Sequence, residues 1–355
     1  MNEDQVQTIR TAGRVAGSLS VVCALNILYA LRRLLTSPTK GNKHHPKLTG
    51  THRYFTLLLA CISGDCLIAI SFSALSFALP LNTNHTMSTN LPGAYVPSCV
   101  AQGFVMNVGN SISIVFSSLG ALEIYNLRPQ VVNTNVYDPT EPFWQRRLTL
   151  FLCVGLFVVV VQVSLAGGMY GYGDNKPGST PWCWIKDISG PAEPFVGIYV
   201  LVFLSFFIIG GSFAAYLRHI YTKLVAISIG NDRQRALRTF GKLSVYPFIY
   251  LLGWTPAIIN RLVTSSVAFS TEDKVIVIAF HAVLQTSLGT LNFLFLSCMN
   301  RQVRNFLPGW KYCCAANRID ESSVMRVWDS SSDEEEEGNE VEVINPVMEM
   351  RSYYQ

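Results

Sequence analysis

The chain has 355 residues, of which half are hydrophobic and only 14% are charged. A chain of this length would allow two soluble domains, but so apolar a composition argues against them and favours one membrane-embedded bundle followed by a tail. The formal net charge of +4 is too small to indicate nucleic-acid binding.

Seven apolar runs follow one another along the chain. A hydrocarbon core of about 30 Å requires about twenty mostly apolar residues of a helix, and lipid offers no partner for an unpaired backbone group. The predicted fold class is therefore an all-α membrane protein: a seven-transmembrane helix bundle over 12–299, with a short amphipathic cytosolic helix and a disordered acidic C-terminal tail. The runs cover residues 12–33, 54–79, 99–125, 148–170, 194–217, 241–265 and 275–299.

Positive charge is distributed unevenly between alternate loops. If residues 1–11 are extracellular, the cytosolic segments carry 19 of the 27 Lys and Arg residues and the outer segments carry six. This bias predicts an extracellular N-terminus and a cytosolic C-terminus, as in a multi-pass protein of the plasma membrane. Residues 1–10 are polar and acidic, so we expect no cleaved signal peptide, and the first run then serves as the insertion signal.

Three polar residues lie at similar depth in the first, second and seventh runs: Asn26, Asp65 and Asn292. Their distances from the nearest cytosolic arginine place them roughly 9–18 Å above the inner boundary, at about 1.5 Å per helical residue. Polar groups at this depth are costly and mark functional positions. We predict a shared structural or switching network, either with or without a bound cation. The alternative is a protonated Asp65 that only caps a neighbouring helix.

The loop after the second run carries a glycosylation sequon, Asn84-His85-Thr86, on the predicted outer side. Of the nine cysteines, Cys99 and Cys183 are the two assigned to the oxidising exterior. This pair favours a disulfide that tethers the loop 171–193 over the bundle, and two free thiols are the alternative.

The third run is rich in polar residues, including Asn107 and Asn110. These side chains either line a cavity or join helices by hydrogen bonds. At the inner end of the same run, Glu123 is placed to pair with Arg238 or Lys242 and hold the bundle closed. The simpler interpretation is an ordinary interfacial charge.

The sixth run contains two prolines, Pro247 and Pro256, each of which removes a backbone donor. The kinks that they introduce predict a hinge that lets the cytosolic half of this helix move. Asn260 and Arg261 follow near the outer end, where Arg261 either contacts an anionic ligand group or extends to water. In the seventh run, His281 is the only histidine well inside a span, as a packing or pocket residue.

Residues 300–314 predict an amphipathic helix on the lipid of the inner leaflet. The adjacent Cys313 and Cys314 then form a candidate palmitoylation site. The remaining residues, 315–355, have the composition of a disordered acidic tail. Three serines before an acidic run suit an acid-directed kinase, and added phosphate would favour a basic arrestin-like partner; a solvating tail without a partner is the alternative. These serines are Ser330, Ser331 and Ser332.

Several of these motifs together resemble the cyclic-AMP receptor-like family of seven-helix G-protein-coupled receptors. They are Cys99, Trp182-Cys183-Trp184-Ile185, Tyr246-Pro247, Trp254 and Ile259-Asn260-Arg261. The resemblance covers roughly 12–312 and implies an extracellular stimulus, a Cys99–Cys183 bridge and coupling to a heterotrimeric G protein. The chain lacks the Asp-Arg-Tyr triplet and the Asn-Pro-x-x-Tyr motif of rhodopsin-like receptors, although Asn292 matches a recurring asparagine of the seventh helix. The ligand does not carry over from the family.

The resulting prediction is a receptor, not an enzyme, that binds a small extracellular ligand and activates a G protein through movement of the sixth helix. It needs no cofactor or metal. The alternative is a transporter for a small polar solute. A retinal protein is excluded because residues 275–299 contain no lysine, and an intramembrane zinc hydrolase lacks clustered ligands. The predicted ligand-binding residues are Asn107, Asn110, Trp184, Trp254, Asn260, Arg261 and His281.

Overall fold

The computed structural model describes the helical core of the chain. The described residues are 3–36, 50–75, 97–132, 142–166, 172–173, 182–185, 200–226, 248–260, 262–263, 270–299 and 301–307. The chain divides into two units, Met1–Pro308 and Gly309–Gln355, and every described residue belongs to the first.

A described helix lies within each of the seven predicted ranges. In chain order they are α1 (Glu3–Thr36), α2 (Gly50–Ile70), α3 (Pro97–Val132), α4 (Pro142–Leu165), α5 (Val200–Ala226), α6 (Phe248–Asn260), α7 (Thr271–Thr286), α8 (Leu288–Met299) and α9 (Arg301–Phe306). A π turn, Ser71–Leu75, continues α2. The strands that the structure describes are β1 (Tyr172–Gly173) and β2 (Trp184–Ile185), which form one antiparallel pair.

The described helices confirm the all-α membrane class. Each of α1 to α5 is long and apolar enough to cross a bilayer, and α7 and α8 together make a further span bent by 49°. The sixth predicted run is described only over α6 and two further residues, so α6 is apolar but shorter than a full span. The bend between α7 and α8 lies at Ser287, whose N–H contacts the carbonyls of both Val283 and Leu284.

The first helix begins earlier than the predicted boundary at residue 12. It starts at Glu3, and Ile9 is buried in a group of apolar side chains near one end of the bundle. Extending the helix to Glu3 gives the backbone groups of these first residues hydrogen-bond partners. Burial of Ile9 adds an apolar contact, which the mostly polar sequence before residue 12 does not suggest. This group, the outer cluster, consists of Ile9, Ile68, Phe72, Met106, Trp182, Ile278 and Ala282.

The helices α2 and α3 pack backbone against backbone. A Cβ atom at Gly64 would lie 2.7 Å from the carbonyl oxygen of Gly109, and a Cβ at Gly109 would lie 2.8 Å from the carbonyl oxygen of Gly64. Small residues allow such close approach between helices in lipid, where apolar side chains gain little by leaving the solvent. This contact fixes the register of α2 against α3.

Two further glycines attach α1 to the same group of helices. A Cβ at Gly17 would lie 2.9 Å from the carbonyl oxygen of Ala69 in α2. A Cβ at Gly289 in α8 would lie 2.7 Å from the carbonyl oxygen of Ser20 in α1. Glycines therefore determine how α1, α2, α3 and α8 meet.

The short helix α9 contacts α1 and α8. Two apolar residues of the predicted amphipathic helix 300–314, Val303 and Leu307, are buried. Part of the face that we assigned to the inner leaflet is thus covered by protein. Trp310, Cys313 and Cys314 lie outside the described residues.

We expect Gly109→Ala to destabilise the protein by about 1–3 kcal/mol, because the added methyl group overpacks a contact with no space for it. Helix propensity alone would change stability in the opposite direction, by about 1 kcal/mol. The measurement is the thermal unfolding midpoint of the purified protein in detergent. Gly120→Ala on the same helix is the matched control, since its Cβ would meet no atom within 4 Å. An unchanged midpoint for Gly109→Ala would contradict the packing described here.

Candidate functional site

A layer of buried polar side chains joins α3, α6 and α7. Asn260 of α6 and His281 of α7 are hydrogen-bonded, with 2.9 Å between Nδ2 of the asparagine and Nδ1 of the histidine. One turn along α7, Gln285 donates from Nε2 to Oδ1 of Asn110 in α3 at 2.9 Å. All four side chains are buried. Three helices are therefore connected at one level by uncharged groups.

The same layer extends to α4 through Gln162. Its Oε1 accepts hydrogen bonds from Ser111 Oγ at 2.8 Å and from Asn107 Nδ2 at 3.3 Å. Among the described residues, neither Asn110 Nδ2 nor Gln162 Nε2 has a hydrogen-bond partner. We call these seven residues the polar layer: Asn107, Asn110, Ser111, Gln162, Asn260, His281 and Gln285. Buried donors without acceptors are costly, so these two N–H groups are free to donate to acceptor atoms brought into the layer.

Trp182 covers the polar layer from the side of the disulfide, which is called the outer side. Its ring packs edge-on against His281, with 5.4 Å between ring centroids and 83° between ring planes. It also contacts Phe72 of the π turn at 5.4 Å. Trp182 belongs to the outer cluster, which therefore closes this end of the layer.

Besides the pairing of β2 with β1, two attachments to α3 hold the segment that carries Trp182. A disulfide joins Cys99 of α3 to Cys183, which confirms the predicted bridge. One turn further along α3, the buried Gln102 accepts a hydrogen bond from the Cys183 N–H at 3.0 Å and donates one to the Ser71 carbonyl at 3.1 Å. Its single amide thus connects α3, the π turn and the loop.

On the inner side of the layer lies a group of apolar and aromatic side chains. Trp254 and Tyr250 of α6 pack there against Ile114 of α3, and the Tyr250 hydroxyl is hydrogen-bonded to Ser205 of α5. We call this group the middle cluster. It consists of Ile114, Ala121, Val202, Ile209, Tyr250, Trp254 and Ala257. The predicted ligand residue Trp254 therefore belongs to the middle cluster, on the inner side of the polar layer, and not to the layer itself.

The predicted switch network forms in part around Asp65. Its Oδ1 accepts from Ser113 Oγ and its Oδ2 from Asn292 Nδ2, each at 2.7 Å. Asn26 instead donates to the Val22 carbonyl at 2.8 Å within its own helix. Because Asn26 bonds to a carbonyl one turn earlier in α1, its amide is not directed to Asp65. The network consequently joins α2, α3 and α8.

At the inner ends of α2 and α3, Glu123 forms an ion pair with Arg53. The distance from Arg53 Nε to Glu123 Oε1 is 2.7 Å, and both side chains are 2% exposed. Glu123 is therefore not the ordinary interfacial charge that the sequence suggested. Arg238 and Lys242, its predicted partners, lie outside the described residues. A buried guanidinium needs a counter-charge, which explains why these two residues meet.

Comparison with known proteins identifies the relatives of this chain. Residues 55–313 match the family described as slime mold cyclic AMP receptor. The chain belongs to the slime mold cyclic AMP receptor family. The structure is also similar to that of squid rhodopsin, with a TM-score of 0.55 and 13% sequence identity over 96% of this chain and 94% of that one. No curated protein matches the chain in sequence.

Membership of the slime mold cyclic AMP receptor family makes the protein a G-protein-coupled receptor. It is accordingly a multi-pass membrane protein with an extracellular ligand and a heterotrimeric G protein as partners. The transporter alternative gains no support. No cluster of three or more metal-ligating side chains occurs within the described part of the chain.

Of the predicted ligand residues, four meet in the polar layer: Asn107, Asn110, Asn260 and His281. The side chain of Trp184 lies outside the described part of the chain, as do six further predicted site residues: Asn84, Pro247, Arg261, Ser330, Ser331 and Ser332. Sequence reasoning missed Gln102, Gln162, Gln285, Trp182 and Arg53. The three glutamines could have been found as polar residues within apolar runs. Gln285 also lies one helical turn from His281, on the same face of the helix.

We expect Glu123→Leu alone to destabilise the receptor by about 3–5 kcal/mol, because it leaves the Arg53 guanidinium buried without its carboxylate. The double variant Arg53→Met/Glu123→Leu should recover most of this loss. Thermal unfolding midpoints of the single and double variants measure the difference. Equal midpoints for the two would show that the ion pair does not govern stability at this end of the bundle.

Proposed function

We propose that this G-protein-coupled receptor lies in the plasma membrane with its N-terminus outside, and that it binds a small extracellular ligand in the polar layer. The observation that carries the proposal is the Asn260–His281 and Gln285–Asn110 pair of hydrogen bonds, which joins three helices beneath a disulfide-held loop. The disulfide supports this orientation, since such bonds persist in oxidising surroundings. The excess of cytosolic Lys and Arg supports it as well.

The chemistry of the layer favours a ligand with a planar hydrogen-bonding edge. Side-chain carboxamides pair with the edges of nucleobases through two hydrogen bonds, and the layer contains Asn107, Asn110, Gln162, Asn260 and Gln285. The family is named for cyclic AMP, so a cyclic nucleotide is the first ligand class that we propose. Arg261 follows Asn260 in the sequence, and we propose that it meets the anionic phosphate of such a ligand.

We expect cyclic AMP to stimulate nucleotide exchange on purified heterotrimeric G protein by the full chain in lipid nanodiscs. His281→Phe and Asn260→Leu should each raise the half-maximal concentration about tenfold or more, since a lost hydrogen bond to a bound polar group costs about 1–3 kcal/mol. The control is Phe280→Ala, which changes an exposed residue beside His281. No response to any member of a nucleotide, lipid and amine panel would remove the proposed ligand site.

Movement of α6 is the proposed route from the ligand to the G protein. Pro256 lies within α6, where it removes the N–H that would otherwise bond to the Leu252 carbonyl. Three residues earlier, a Cβ at Gly253 would lie 2.3 Å from a Leu288 methyl carbon, so the Leu288 side chain fills the space beside this glycine. Leu288 is the first residue after the bend between α7 and α8. The flexible part of α6 and the break in the seventh span are thus in direct contact.

Pro256→Ala should lower the maximal rate of ligand-stimulated exchange several-fold, because the restored backbone bond stiffens α6. The half-maximal concentration should change little, since Pro256 is not in the polar layer. The same exchange assay measures both values. Ile259→Ala, which truncates an exposed side chain on the same helix, serves as the control. A full maximal rate for Pro256→Ala would argue against bending of α6 at this residue.

The C-terminal tail is proposed to regulate the receptor. Phosphorylation of Ser330, Ser331 and Ser332 would add negative charge to an already acidic segment and favour a basic arrestin-like protein. Palmitoylation of Cys313 and Cys314 would attach the start of the tail to membrane lipid. Glycosylation of Asn84 is proposed for the outer loop.

A further inference from the structure

Gln102 uses both ends of its amide, although its side chain is completely buried. Its Oε1 accepts the Cys183 N–H at 3.0 Å, and its Nε2 donates to the Ser71 carbonyl at 3.1 Å. A buried glutamine that satisfied only one of these groups would leave the other unpaired at a cost in stability. Neither backbone group belongs to the helix of Gln102, so the two bonds act between elements.

Both bonded backbone groups adjoin an aromatic residue of the outer cluster. The Cys183 N–H belongs to the peptide unit that follows Trp182, and Ser71 directly precedes Phe72. The rings of Trp182 and Phe72 are in contact at 5.4 Å and 62°. A single carboxamide thus connects the backbone beside one ring to the backbone beside the other.

The disulfide cannot do this alone. A Cys99–Cys183 bond fixes the distance between two side chains, but the peptide plane between Trp182 and Cys183 can still rotate about its flanking single bonds. A hydrogen bond to the N–H of that plane removes this freedom. Cys99 and Gln102 are three residues apart on α3 and share one face, so the two attachments reach the loop side by side.

The orientation of this peptide plane decides what covers the polar layer. Trp182 is 7% exposed, and its ring stands edge-on against His281 with 83° between the planes. A rotated plane would direct the indole away from His281 and open the layer to the outer side.

We propose that Gln102 is a positioning residue that holds Trp182 over His281 and so sets the shape of the outer side of the ligand site. The role of His281 rests on the proposed function, whereas the position of Trp182 does not. A first experiment therefore measures Trp182 itself, without any ligand.

Hydroxyl-radical footprinting of the full chain in nanodiscs tests the proposal, with Trp182 oxidation quantified by mass spectrometry. Gln102→Met keeps the length of the side chain and removes both hydrogen bonds, and it should raise the oxidation rate of Trp182 several-fold. Trp254, in the middle cluster, should keep its rate and serves as the internal reference. Gln7→Met, at an exposed position of α1, is the matched control. An unchanged Trp182 rate, or a parallel rise at Trp254, would overturn the assignment.

A second variant and a measurement on the native chain guard against failure of Gln102→Met to fold. Gln102→Glu keeps an acceptor for the Cys183 N–H, so Trp182 should remain protected. In the native protein, the Cys183 amide should exchange with deuterium far more slowly than an exposed amide. Fast exchange at Cys183 would overturn the proposal without any variant.

Cyclic AMP is the probe for the functional consequence. Gln102→Met should raise its half-maximal concentration for nucleotide exchange several-fold and leave the maximal rate unchanged, as expected for a change at the ligand site alone. An unchanged half-maximal concentration would contradict the positioning role. If cyclic AMP fails to stimulate the native chain, the proposed ligand is wrong, and the footprinting result alone decides the role of Gln102.

Discussion

The close approach of α2 and α3 at Gly64 and Gly109 is the contact on which the rest of the bundle depends. Apolar side chains gain little free energy by moving from lipid into the protein. Helices in lipid therefore associate where their backbones come near enough for dispersion and polar contacts. The two facing glycines allow this. Once they meet, Asp65 lies beside Ser113, and Arg53 reaches Glu123 further along the same pair of helices. Both of these polar contacts follow from this register.

The third helix contributes side chains to the polar layer, to the network around Asp65 and to the ion pair with Arg53. Asn110 connects it to α7 in the polar layer, and Ser113, three residues on, connects it through Asp65 to Asn292 of α8. The bend at Ser287 lies between these two attachments of the seventh span. A ligand that changes the Gln285–Asn110 contact would therefore act on α7, and the bend at Ser287 separates α7 from the Asn292–Asp65 contact of α8.

Much of the fold follows from the sequence. The seven apolar runs, the disulfide and the depth of Asp65 and Asn292 depend on residue types that have few other uses in lipid. The partners were harder to predict. Arg53 is one of the 19 positive charges that predict the orientation, and its sequence position does not reveal its partner. A residue at the end of an apolar run faces either water or protein, and only the packing of α2 against α3 decides which. Asn26 was predicted in the network from its depth, but depth does not say which face of a helix a side chain occupies.

The polar layer was predicted only in part for the same reason. Its asparagines and His281 are visible as polar residues in apolar runs, whereas Gln102 acquires its role from a loop more than eighty residues away in sequence. Such a contact has no local pattern. The π turn at Ser71–Leu75 contains no proline or glycine, so the sequence does not predict this local change in the helix.

The burial of the Arg53–Glu123 pair has a consequence for how the resting receptor responds to its surroundings. Mobile counterions screen charges that are in contact with water over a Debye length of about 8 Å at physiological ionic strength, but they do not enter a protein interior. With 2% of each side chain accessible, this pair is insulated from the electrolyte. The junction of α2 and α3 should keep its strength when the salt content of the surrounding solution rises or falls.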